Sequence, residues 1–268
     1  MITSVANKQI KSIIQLVKKT KERQAQHVFV AEGIRLFDEI PKEWIQDVYA
    51  AESFFDQKEH TEKLRGIQYE TVSDAVFERM SDTKTPQGIL CTARQPQYQL
   101  EDLFVQKQPH LLILEGIQDP GNLGTMFRTG EGAGVTGIIL SGCADLFAPK
   151  TVRSTMGSIC RVPFYHTDDL SGTLSVLKQK RVRIYAAHLQ GTAYYDAYDY
   201  RGATAFLIGS EANGLTDQTA AAADTYVKIP MGGQLESLNA AMAAGIFMYE
   251  VNRQRRNGEG KETIADMV

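Results

Sequence analysis

Hydrophobic residues follow two different rhythms along this chain. From Asn7 to Lys21, Ile10, Ile13, Ile14 and Val17 recur at helical spacing with lysines on the other side, which predicts one amphipathic helix whose apolar stripe must pack on something. Short apolar runs at 28–31, 48–51, 69–72 and 88–92 then alternate with helical stretches such as 73–80, predicting a small α/β domain over 1–93. Residues 94–109 are rich in Gln and Pro around one short apolar piece, Leu103-Phe104, and read as a linker. Beyond it, strands are expected at 110–114, 137–140, 162–165, 183–188, 205–208 and 226–229, with helices near 122–132, 171–179 and 237–253. That alternation predicts a parallel sheet covered on both faces over 110–257, followed by a C-terminal tail at 258–268.

One stretch imitates a nucleotide-binding signature. Gly132-Ala-Gly134-Val-Thr-Gly137 has the G-x-G-x-x-G spacing that would suggest a dehydrogenase. Such a fingerprint follows a strand and opens a helix, whereas here it closes a helix and opens a strand, so the glycines are expected to form a C-cap and a tight turn.

Composition adds little beyond class. Over 268 residues, 43% hydrophobic and 23% charged positions suit two ordinary globular domains. No apolar run approaches the ~20 residues that span a bilayer, and the start has no signal-peptide apolar region, so a cytoplasmic protein is expected. Cys91, Cys143 and Cys160 lack Cys-x-x-Cys spacing, and the histidines form no His-Glu-x-x-His arrangement, so neither disulfides nor a metal site is expected. Charge changes the picture more. The net charge is −3, yet between Met1 and Arg35 the residues Lys8, Lys11, Lys18, Lys19, Lys21, Arg23 and Arg35 outnumber Glu22 and Glu32. This is enough for a phosphate-binding surface, or for an ordinary solvated helix face.

The chemistry concentrates near the C-terminus. The strand ending Phe206-Leu-Ile-Gly209 runs straight into Ser210, Glu211 and Asn213, and a second run, Ile229-Pro-Met231, leads to Glu236-Ser-Leu-Asn239. Polar and small residues at strand C-termini are where open α/β sheets bind ligands, and Gly209 would let a ligand approach the backbone. With the upstream run Leu114-Glu-Gly-Ile-Gln-Asp-Pro-Gly-Asn-Leu-Gly-Thr-Met-Phe-Arg128, these segments resemble, in order, the three motifs of the SpoU/TrmH family of RNA ribose 2′-O-methyltransferases, over about residues 111–253. Asn7-Lys-Gln-Ile-Lys11, Phe29-Val-Ala-Glu-Gly33 and Thr85-Pro-Gln-Gly88 are similar to the substrate-binding domain that many of these enzymes carry.

The resemblance implies a SPOUT-type α/β fold with a trefoil knot, although knots are rare exceptions among α/β chains. It implies transfer of a methyl group from S-adenosyl-L-methionine to a ribose 2′-hydroxyl of RNA, ribosomal RNA being the expected substrate. The alternatives are tRNA as substrate, or a noncatalytic RNA-binding protein of the same fold; the intact polar set argues against the latter. Gly209, Ile229, Met231 and Leu238 match family positions that contact the cofactor. Asn122, Arg128, Glu211, Ser237 and Asn239 match the catalytic set. In the family the arginine is often called the base, but a free guanidinium loses its proton only above about pH 12, which favours Arg128 as phosphate anchor and hydroxyl orienter. The proton would then leave through Glu211, water or the RNA phosphate. Ser237 is a candidate N-cap of the last helix, a role that stands beside positioning Arg128 and the ribose. Lys8, Lys11, Lys18, Lys19 and Arg35 are the candidate RNA contacts. Finally, Ala240, Ala241, Ala244 and Gly245 leave a flat strip beside Ile246, Met248 and Tyr249, suited to packing within the subunit or against a second copy. The family resemblance favours a homodimer through the methyltransferase domain.

Overall fold

The computed structural model describes residues 1–258; from residue 259 onward the expected tail lies outside the described residues. The chain divides into two units, the first made of 1–97 together with 145–160, the second of 98–144 and 161 onward.

The first unit opens with α1 (Lys8–Lys18), capped by Asn7, whose side chain accepts from Gln9 N, and buries Ile10, Ile13, Leu16 and Val17. The single helix expected up to Lys21 is broken at Lys19, which is extended (φ −124°, ψ 118°), and α2 (Thr20–Gln26) starts in a new direction. The reason is Arg23. Its Nη1 donates to the carbonyls of Leu16 (2.5 Å) and Val17 (3.1 Å), satisfying the end of α1, while Nε and Nη2 reach Asp145 Oδ2 at 3.1 and 2.5 Å. Arg23 is only 3% exposed, so it is a paired structural cation and not part of the basic surface that sequence counting gave it.

Next come β1 (Val28–Glu32), α3 (Ile34–Glu39), β2 (Ile45–Ala51), α4 (Lys58–Lys63), β3 (Glu70–Val72), α5 (Asp74–Met80) and β4 (Ile89–Arg94). The sheet order is β1-β4-β2-β3, antiparallel except for β2 with β3. All five residues of β1 are buried because both its faces are covered. Val28 and Val30 join the α1 residues in one core, while the Phe29 ring lies 5.5 Å from Phe147 of the 145–160 segment.

The second unit is built from β5 (His110–Glu115), α6 (Pro120–Ala133) and β6 (Gly137–Ser141). The chain then passes through α7 (Pro149–Thr155), which belongs to the first unit. It returns with β7 (Phe164–His166), α8 (Leu170–Gln179), β8 (Arg183–Ala187), β9 (Ala193–Tyr194), β10 (Thr204–Ile208), α9 (Asp217–Ala221), β11 (Thr225–Lys228) and α10 (Ala240–Gly258). Seven strands in the order β7-β6-β5-β10-β8-β11-β9 form the expected parallel sheet, and every pairing is parallel. Alternate residues serve the two faces. Leu111, Ile113, Ala205 and Leu207 pack with α8, and Phe206 stacks on Phe247 of α10 with ring centroids 5.0 Å apart.

The glycine run behaves as expected. Gly134 is left-handed (φ 78°) and closes α6, with Val135 N donating to Gly130 O at 2.8 Å. Gly137 has a different task, because a Cβ there would lie 2.7 Å from Leu103 Cδ2. Leu100 and Leu103, inside the stretch that composition marks as linker, are thus part of the second unit's core.

Candidate active site

Because every strand of the second sheet runs the same way, the segments following β5, β10 and β11 emerge at one end of it. After β5, Asp119 caps α6 by accepting from Asn122 N at 2.7 Å, and Pro120 occupies the first turn, where no amide hydrogen is needed. After β10, the chain folds back on itself through Ser210 N to Gly214 O (3.1 Å) and Gly214 N to Ser210 O (2.9 Å). A Cβ on Gly209 would meet the backbone of Gly214 and Leu215 at 2.1–2.3 Å. The missing side chain therefore makes room for the returning loop itself, a nearer neighbour than the ligand that sequence reasoning invoked.

Glu115, at the end of β5, anchors the far side of this loop, accepting from Thr216 N (2.9 Å), Thr216 Oγ1 (2.9 Å) and Thr219 Oγ1 (2.7 Å). Neither Glu115 nor Asp119 stands out among the candidate residues in the sequence. The available signals were a carboxylate closing an apolar strand and an Asp immediately before a helix-opening Pro.

The third segment completes a polar chain. Asn239 Oδ1 accepts from Ala241 N (2.9 Å) and Met242 N (3.2 Å), and its Nδ2 donates to Asn122 Oδ1 at 3.0 Å. Asn122 Nδ2 in turn donates to Glu211 Oε1. Asn239 is thus the N-cap of α10, correcting the expectation for Ser237, which lies two residues earlier, exposed and without a side-chain hydrogen bond among the described residues. A cap must sit immediately before the first helical residue, here Ala240.

Asn122, Glu211 and Asn239 are therefore brought together, and Ser237 and Arg128 are not bonded to them. Arg128 lies on α6, exposed, with no hydrogen bond or ion pair among the described residues, so its five donors remain available to an incoming anion.

Of the cofactor candidates, Ile229 and Met231 are half-buried and Leu238 is 36% exposed. Leu235, which sequence reasoning did not single out, is 71% exposed in the same loop. The backbone groups of residues 230–238 make no hydrogen bond among the described residues. Uncovered apolar side chains beside free backbone donors and acceptors fit the needs of an adenosyl group, which requires an apolar slot with a few polar partners. The described residues contain no cluster of His, Cys, Asp or Glu able to hold a metal ion, and none of their helices is long and apolar enough to cross a membrane.

The small residues of α10 settle on their own subunit. Ala240, Ala241 and Ala244 are buried, and a Cβ on Gly245 would touch Thr129 Cγ2 of α6 at 3.5 Å. The outward side leaves Met242 and Tyr249 exposed by 61% and 51%. In the first unit, Lys8, Lys11, Lys18, Lys19 and Arg35 are all exposed, and none makes an ion pair among the described residues.

A parallel α/β sheet with three polar segments meeting at one end, preceded by a small mixed-sheet unit with an exposed basic helix, defines a two-unit α/β protein with a candidate ligand site at the C-terminal ends of its parallel strands. Residues 109–249 match the SpoU rRNA Methylase family, so the chain belongs to that family, and residues 7–91 match the MRM3-like substrate binding domain. The chain is 32% identical over 253 residues to the 23S rRNA (guanosine(2553)-2'-O)-methyltransferase RlmP of Bacillus subtilis, covering 93% of this chain and 98% of that protein. A crystal structure of an RNA 2'-O ribose methyltransferase superposes with a TM-score of 0.83 at 30% identity, covering 95% of this chain and 98% of the other. An AdoMet-bound rRNA methyltransferase from Sinorhizobium meliloti superposes with a TM-score of 0.79 at 32% identity, covering 94% and 97%.

Proposed function

We propose that this protein transfers a methyl group from S-adenosyl-L-methionine to a ribose 2′-hydroxyl of RNA, with ribosomal RNA as the substrate. Family membership supports the reaction, and the activity named for the Bacillus relative supports the class of RNA. The observation that carries the reading is the bonding of Asn122, Glu211 and Asn239 across three separate segments at the ligand-binding end of the sheet.

When bound, S-adenosylmethionine supplies a methyl group on a sulfonium that leaves readily. The work left to the protein is to orient and deprotonate a weakly acidic alcohol. Ile229, Met231 and Leu238, with the free backbone of 230–238, would hold the adenosyl portion. Arg128 anchors an RNA phosphate and orients the hydroxyl, because a guanidinium binds phosphate through two parallel hydrogen bonds. Glu211, an exposed carboxylate at the end of the polar chain, accepts the proton. Lys8, Lys11, Lys18, Lys19 and Arg35 of the first unit grip the RNA backbone, and the exposed side of α10 carrying Met242 and Tyr249 pairs with a second copy.

The test is Arg128→Ala, read by isotopic methyl transfer to RNA and by calorimetric titration with S-adenosylmethionine. Turnover should fall at least about a hundredfold, as when a group acting at the reacting centre is removed, while cofactor affinity stays unchanged. Near-normal turnover would overturn the assignment.

A further inference from the structure

The polar chain has a direction, and the direction is set by a helix. An asparagine side chain presents one acceptor oxygen and one donor nitrogen. At the start of α10 the groups that need partners are the amide hydrogens of Ala241 and Met242, which can only donate, so the Asn239 oxygen must face them. Its nitrogen then points away and must find an acceptor, which is Asn122 Oδ1 at 3.0 Å. That choice leaves Asn122 with its own nitrogen outward, and the group waiting there is the Glu211 carboxylate, which when ionised can only accept. With an obligate donor at one end and an obligate acceptor at the other, only one orientation of both amides satisfies every link.

We infer that Asn239 and Asn122 are positioning residues for Glu211: the N-terminus of α10, acting through two amides of fixed polarity, holds this carboxylate in its working place beside the cofactor loops. The inference rests on the methyltransferase reading for what Glu211 does, but not for how it is held. The bonds at the ends of the loop act on Ser210, Gly214 and Thr216, and Glu211 itself projects exposed between them. Asn122 is what ties its carboxylate down. The same two amides join the start of α6, the loop after β10 and the start of α10, so a change in one segment is felt by the other two.

An ordinary capping role makes a different prediction, and Asn239→Asp separates the two. Aspartate caps a helix as well as asparagine does, so α10 and the melting temperature should be preserved. The substitution, however, puts an acceptor opposite Asn122 Oδ1. Asn122 can respond only by turning over, which sets its oxygen against Glu211. We expect S-adenosylmethionine affinity to fall about tenfold, the scale of one lost charge-assisted hydrogen bond, and amide exchange across residues 210–215 of the free protein to accelerate.

Reversing the far end should then repair the chain. When Asn239→Asp is combined with Glu211→Gln, the turned Asn122 donates to the carboxylate introduced at the helix cap and accepts from the amide introduced in the loop, so every link is satisfied with opposite polarity. Slow exchange at 210–215 and most of the lost cofactor affinity should return, while methyl transfer, which needs the carboxylate of Glu211, should not. Wild-type exchange rates in Asn239→Asp, or a double variant no better protected than the single, would overturn the inference. Because exchange is measured without cofactor or RNA, such a failure is distinct from failure of the methyltransferase reading, which absence of methyl transfer by the wild-type protein would reveal.

Discussion

Gly209→Ala puts a single methyl group where the loop after β10 returns. The backbone at Gly209 lies outside the left-handed region, so alanine brings no conformational strain and the whole effect is steric. The new carbon would stand 2.1 Å from Gly214 C and 2.2 Å from Leu215 N, against an ordinary contact of 3.4–4 Å, and both neighbours are backbone atoms that cannot rotate aside. The segment must therefore move by about 1 Å, as expected for overpacking at a site with no slack. The movement breaks the paired bonds between Ser210 and Gly214, now 3.1 and 2.9 Å. Two such bonds are worth about 2 kcal/mol net, a loss that a domain stable by about 5–15 kcal/mol survives.

The protein should therefore fold, with the damage confined to the position of Glu211 and its link to Asn122. If that geometry contributes its 2 kcal/mol to holding cofactor, affinity for S-adenosylmethionine falls roughly thirtyfold at 25 °C. Calorimetric titration measures it directly. Gly202→Ala is the control, because a Cβ there meets nothing within 4 Å. Unchanged cofactor affinity in Gly209→Ala, with circular dichroism like wild type, would refute the claim that the tight return of this loop builds the site.

Three further outcomes are expected. Replacing Lys8, Lys11, Lys18 and Lys19 by Gln should flatten the dependence of log K for RNA on log salt by up to one unit per lost phosphate contact, and an unchanged slope would show a merely solvated face. His110, buried at the start of β5, has its pKa drawn down to about 3, mainly by burial and then by Arg255. Below pH 6.5 the unfolded chain therefore takes up a proton that the folded one refuses, and stability should fall by up to about 1.4 kcal/mol per pH unit toward pH 3. His110→Gln should remove that one-proton component, seen as a shallower pH dependence of the urea midpoint than in wild type; equal dependences would count against it. Light scattering across a dilution series should give twice the 29.8 kDa of one chain, and Met242→Glu should split the pair; a fully active monomer would sink the dimer.

Where a segment's partners lie close in sequence, or where burial is complete on both faces, its structure was legible beforehand. β5 and β10 were readable because continuous apolar runs mark strands covered on both sides, and the end of α6 because a glycine C-cap is a local device. The break at Lys19 was not readable, since it exists to let Arg23 reach the last carbonyls of α1 and the carboxylate of Asp145, 122 residues away. The placement of 145–160 with the first unit escaped for the same reason: only the three-dimensional neighbourhood shows that Phe147 covers Phe29.

At the candidate site the residue types were readable and their partners were not. Ser237 and Asn239 are equally good caps by propensity, and nothing local chooses between them. The choice falls to the residue whose second polar group is also used, because a serine at the cap would satisfy the helix and leave Asn122 with its oxygen unpaired, whereas an asparagine does both. Gly209 follows the same logic. Its lack of a side chain points to a close approach, expected from sequence to be a ligand's, but what fills the space is the returning backbone of Gly214 and Leu215, brought there by a turn that closes only when Gly214 adopts φ 67°. The bonds that define the site span 89 and 117 residues of sequence. Each of the three segments can be recognised alone as a strand end or a helix start. It is the helix terminus of α10, imposing one orientation on two amides in succession, that turns three recognisable pieces into a single arrangement around Glu211.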